Sequence, residues 1–136
     1  MPFVDTNVLI YAVCPGSHER AKAQIAREIL RRDDLTLSVQ VLQEFYVQAT
    51  RHTRADPLSH EESVALIRSW LRFPVLENTL GLLHAALSAK HRFQISYWDA
   101  AIIEAARASA CRQVLSEDLN SGQDYDGVTI INPFAT

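Results

Sequence analysis

Four acidic residues stand where the chain pattern predicts apolar strands to end or helices to begin: Asp5, Glu44, Asp99 and Asp118. Carboxylates gathered at the mouth of a parallel sheet repel one another. Such a grouping becomes tolerable when a cation holds it. The chemistry this predicts is a divalent-metal site built from oxygen ligands, which suit Mg2+ and Mn2+. Phosphodiester hydrolysis is the reaction such a site points to.

Each acid also has a plainer reading. Asp5 follows the apolar pair Phe3-Val4 and precedes Thr6-Asn7. It is placed either as a metal ligand at a strand end or as the N-cap of the next helix. Glu44 sits with Gln40 and Gln48 on an i, i+4 polar line, which predicts a solvated helix face or one turned toward the site. Asp99 lies three residues after Ser96, a capping pattern that also puts a carboxylate stably at a helix start. Asp118 follows Ser116 at the end of an apolar run. Its neighbours Glu117 and Asp124 are expected in solvent or, at most, behind the ligands of the site, and Asp126-Gly127 reads as a turn. Tyr97 and Trp98 read as packing residues. Ser38 is either a plain N-cap or a hydrogen-bond partner for a water in the site.

The elements that must position these residues alternate. Short apolar strands are predicted at Phe3-Val4, 35–37, 74–76, 114–115 and 128–131. Helices are predicted over 6–13, from a Ser17 cap to about Arg32, from Ser38 to about Thr53, from a Ser59/Glu62 capping box to about Arg72, over 79–91, and over 97–110. This alternation predicts an α/β fold: a mostly parallel sheet flanked by helices on both faces, forming one domain over 1–136. Ligands of such sheets lie beyond the carboxyl ends of the strands, where Asp5, Ser38 and Asp118 fall.

Composition narrows the class. Apolar residues make up 48% and charged residues 21%, values of a globular chain able to bury a core. Net charge is −3 and the pI about 5.9, against a simple electrostatic DNA binder but not against a nuclease. Cys14 and Cys111 lie in apolar context and predict buried thiols, with a reducing, cytoplasmic setting. The start MPFVDTNVLIYAV lacks a basic region, so no signal peptide is expected, and no apolar run reaches the roughly 20 residues of a membrane span. The five histidines show no metal-ligand spacing.

With these residues in view, the chain resembles the PIN-domain ribonucleases and, within them, the VapC-type toxins of bacterial toxin–antitoxin pairs. The segments that carry the resemblance are FVDTNVLIYA, SVQVLQEFYV, SYWDAAIIEAA and VLSEDLNSGQDYDGVTIINPF. They run in the family's order along nearly the whole chain. The resemblance implies a three-layer PIN-like fold and a metal-dependent endoribonuclease. It maps the family's four acids onto Asp5, Glu44, Asp99 and Asp118, and its small polar helpers onto Thr6, Asn7, Ser116 and Ser38. It also implies Mg2+ or Mn2+ as cofactor, RNA as substrate, a small cognate antitoxin and a homodimer; the apolar pattern predicts no membrane partner.

Two basic clusters are candidates for phosphate contacts: Arg51, His52 and Arg54, and Lys90, His91 and Arg92. Both sit at helix ends, where basic residues are favourable without a ligand. The competing readings are a non-catalytic PIN-like interaction module and an α/β phosphatase. A haloacid-dehalogenase-like phosphatase wants a second Asp two residues after the first, and position 7 is Asn. A receiver domain wants its acid pair after the first strand, whereas Asp33-Asp34 precedes a strand.

Overall fold

Phe3 and Val4 explain the centre of the fold. Successive strand residues point to opposite faces of a sheet. Both are fully buried, so helices must cover both faces. The structure, a computed structural model, describes residues 1–135. It has five short strands: β1 (Pro2–Val4), β2 (Leu37–Ser38), β3 (Val75–Leu76), β4 (Gln113–Leu115) and β5 (Thr129–Ile131). Six helices connect them: α1 (Thr6–Val13), α2 (Arg20–Ile29), α3 (Val39–Ala49), α4 (His60–Trp70), α5 (Leu80–Phe93) and α6 (Tyr97–Ala108).

All named pairings are parallel. β1 pairs with β4, placing Val4 opposite Leu115, and β4 pairs with β5. β2 pairs with β3. A parallel bridge from Phe3 to Thr36 joins the two groups, with Val4 N donating to Thr36 O at 3.0 Å and Thr36 N to Pro2 O at 3.0 Å. The spatial order is therefore β3-β2-β1-β4-β5. From β1 the chain runs on to one side, and from β4 to the other. The crevice beyond the ends of β1 and β4 is thus the topological switch point, where open α/β sheets bind ligands.

Helix ends follow local chemistry, with two departures from expectation. The Ser59/Glu62 capping box forms as predicted. Asp126 and Gly127 both take positive φ, 55° and 98°, in the tight turn between Tyr125 and Val128. Ser17, expected to cap α2, is exposed and does not. Glu19 holds the cap position, and its carboxylate accepts from Gly16 N instead. α3 stops at Ala49 rather than near Thr53, because Thr50 Oγ1 and Arg54 Nε cap the carbonyls of Tyr46 and Gln48 at 2.7 and 2.9 Å.

The core runs through Leu9, Leu37, Phe45, Ile103, Val114 and Ile130. Trp70 packs edge-on against Phe45 and joins α4 to α3. Cys111 is buried as expected and Cys14 is half-buried. Among the described residues no helix is long and apolar enough to cross a membrane.

Candidate active site

Asp5 leaves the end of β1 and caps α1. Its Oδ1 accepts from Thr6 N at 2.7 Å. Its Oδ2 accepts from Ser116 Oγ at 2.7 Å, at the end of the neighbouring β4. Cap and site residue are thus the same carboxylate. Asn7, the second residue of α1, donates from Nδ2 to Ser116 Oγ and to Asp118 Oδ2, both at 3.2 Å. Asp118 N in turn donates to Ser116 Oγ at 3.1 Å.

Glu44 reaches the same place from α3. Thr6 Oγ1 donates to its Oε2 and Gln40 Nε2 to its Oε1, each at 2.9 Å. Gln40 is only 6% exposed. The solvated-face reading of the Gln40, Glu44, Gln48 line is therefore overturned for this line. Glu44 and Gln48 are half-buried beside the cavity, while Gln43 and Val47 on the outer edge of this face stay exposed. Asp99 enters from the first turn of α6, where Ser96 Oγ accepts from its N–H at 3.1 Å.

Asp5, Glu44, Asp99 and Asp118 line one cavity of about 80 Å³, together with Thr6, Asn7, Gln48, Trp98 and Ile102. Ser116 lies under its floor, fully buried. Ser38 is not brought in: it is fully buried at the start of α3, where its Oγ accepts from Val41 N at 3.2 Å.

The cavity concentrates negative charge. Burial raises the Asp5 carboxyl from its usual 3.8 to about 6, against the lowering effect of Ser116 and Thr6. The charges of Asp118 and Glu44 push the same way as burial. Burial also raises Asp99, and the same two charges add to it. Among the described residues no lysine or arginine lines the cavity. Nor do three acids stand poised around a common point among those residues. Three of the four carboxylates are drawn onto protein donors instead. The donor set, oxygen only and excess negative, fits a hard divalent cation.

Several residues depart from their sequence reading. Glu117 is not simply solvated: its Oε2 lies 2.6 Å from Lys22 Nζ, and its Oε1 accepts from the Tyr11 hydroxyl. Its backbone N–H donates to Asn7 Oδ1 at 3.2 Å. This ties the 116–118 turn to α1. Trp98 does not pack inside; it is 63% exposed at the rim of the cavity, while Tyr97 is half-buried. Arg54 is committed to the end of α3 and Arg92 to an ion pair with Asp126. Gln40 was legible only as the residue one turn before Glu44.

The family follows from this arrangement together with the sequence. The profile described as PIN domain matches residues 3–122. The chain belongs to the PIN domain family, and the resemblance carried by its four segments is borne out. No curated protein matches it. Solved structures show the same fold. A toxin–antitoxin complex from Klebsiella pneumoniae superimposes with a TM-score of 0.70 at 14% identity, covering 100% of both chains. VapC20 of Mycobacterium tuberculosis, a sarcin–ricin loop cleaving toxin, gives 0.68 at 21% identity, covering 87% of this chain and 92% of its own. FitAcB of Neisseria gonorrhoeae gives 0.62 at 20%, covering 100% of both.

Proposed function

We propose that this chain is a metal-dependent endoribonuclease that hydrolyses RNA phosphodiester bonds, acting as the toxin of a type II toxin–antitoxin pair. One observation carries the reading: carboxylates from four separate segments converge on a single cavity at the switch point of a parallel sheet. PIN membership supports nuclease chemistry. The toxin–antitoxin neighbours support the biological setting.

In this reading Asp5 and Asp99 are the principal ligands, and Glu44 and Asp118 complete the set directly or through water. When bound, Mg2+ or Mn2+ acidifies water near neutral pH and offsets phosphate charge. Asp5 is held at both oxygens, by Thr6 N and by Ser116, so it presents a fixed carboxylate. Asn7 sets the position of Asp118, and Thr6 with Gln40 sets that of Glu44. Such supporting donors fix the orientation of ligands around a metal. Attack by water needs no ribose 2′-hydroxyl. The products are 5′-phosphate and 3′-hydroxyl ends, and preference for RNA comes from contacts outside the acids.

The whole chain, 1–136, acts as one PIN-like domain in the cytoplasm. A small cognate antitoxin covers or distorts the cavity, and the protein assembles as a homodimer. The test is cleavage of an RNA panel by the purified protein. Cleavage is expected in Mg2+ or Mn2+, to stop in EDTA and to return when metal is restored. Mapping 5′ ends of cellular RNA after induced expression, against an Asp5→Asn control, identifies the target. Chelator-resistant cleavage, or full turnover by Asp5→Asn, overturns the reading. Co-purification with a small partner tests the toxin–antitoxin part separately.

A further inference from the structure

One face of α3 carries Gln40, Gln43, Glu44, Val47 and Gln48 at successive i+3 and i+4 spacings, and Arg51 follows on the same line just past the helix end. This line forms one wall of a groove of about 370 Å³. The opposite wall is Trp98. The groove adjoins the acid cavity, and Glu44, Gln48 and Trp98 line both.

The chemistry of the groove is specific. Trp98 offers an exposed ring, held edge-to-face by Tyr97 with centroids 5.1 Å apart. Among the described residues, the Gln48 amide and the Arg51 guanidinium make no side-chain hydrogen bond or ion pair. Gln43 accepts one bond, from Asn78 at 3.3 Å, and keeps its NH2 free. Arg51 lies seven residues beyond Glu44, past the end of α3. An aromatic face, unengaged amides and a displaced positive charge, all beside a phosphodiester site, match the recognition of an unpaired nucleotide.

Resting on the nuclease reading above, we propose that this groove is a nucleotide subsite. Trp98 stacks on an unpaired base of the RNA next to the scissile bond, Gln43 and Gln48 meet its edge, and Arg51 neutralises a neighbouring phosphate. Stacking on Trp98 requires a base that is free of a continuous duplex.

The test uses the full-length protein in EDTA, so that nothing is cleaved, and two fluorescein-labelled probes. One is a single-stranded RNA oligonucleotide cleaved by the wild type in Mg2+; the other is the same sequence annealed to its complement. Single-strand affinity is expected to fall about tenfold to a hundredfold in Trp98→Ala and much less in Trp98→Phe. Duplex binding stays weak in every variant. In Mg2+ the Trp98→Ala loss appears in KM more than in kcat. Arg51→Ala is expected to reduce the slope of log affinity against log salt by about one. Wild-type affinity and KM in Trp98→Ala, with cleavage intact, overturn the subsite and leave the nuclease reading standing. A change of oligomeric state in Trp98→Ala, seen by sedimentation with unchanged RNA affinity, makes this face a protein interface and overturns it too. A wild-type protein that neither binds nor cleaves any RNA ends both readings.

Discussion

Ser116 donates to Asp5 across 111 positions of sequence, with Oγ 2.7 Å from Oδ2 and both residues buried. The bond joins the ends of two adjacent parallel strands. The same oxygen accepts from Asp118 N and from Asn7 Nδ2. One hydroxyl therefore fixes two of the four acids relative to each other.

Ser116→Ala removes that junction and leaves the Asp118 N–H and one Asp5 oxygen without their partner. Stability is expected to drop by about 1–3 kcal/mol, read by urea unfolding. Mn2+ affinity is expected to fall about tenfold to a hundredfold. Metal affinity equal to wild type would show that Ser116 is a packing residue only.

Asp5 predicts an unusual pH dependence for the metal-free protein. Its folded-state pKa of about 6 lies above the usual 3.8, so between those values the native chain holds more protons than the unfolded chain. Stability from this group therefore falls as pH rises through that window and is lost above about pH 6. The difference is on the order of 3 kcal/mol. Asp5→Asn removes it. In EDTA the variant gains stability on wild type at pH 7.5 relative to pH 4.5, and with Mg2+ restored it does not cleave RNA. Equal pH slopes for the two proteins would contradict the assignment.

Gln40 is expected to act through Glu44. Gln40→Ala frees one carboxylate oxygen and lowers kcat about tenfold, with a stability cost of about 1 kcal/mol. Steady-state kinetics beside thermal unfolding separates the two effects. An unchanged kcat in a destabilised protein would make Gln40 structural.

Much of this arrangement was legible in the chain because local chemistry and topology agree. Phe3-Val4 before Asp5 reads as a buried strand entering a site, and the Ser59/Glu62 box and the Asp126-Gly127 turn are backbone devices with fixed residue types. What could not be read depends on distant cover. Gln40 looks like a solvent-facing amide, yet it is buried with its Nε2 on Glu44. Trp98 looks like core, since a large aromatic usually buries, yet α6 holds it at the rim of the cavity. Ser38 is a site helper by position and a helix cap by geometry. Glu117 finds Lys22 and Tyr11 only because α1 and α2 pack beside the end of β4.

The most direct test of the shared carboxylate site is calorimetric titration of Mn2+ into the metal-free protein and into Asp5→Asn, Glu44→Gln, Asp99→Asn and Asp118→Asn. The account predicts saturable binding by the wild type, competition by Mg2+, and at least tenfold weaker binding in each variant. Binding that is equal in all five proteins, or absent from a wild type that still cleaves RNA in EDTA, would contradict it.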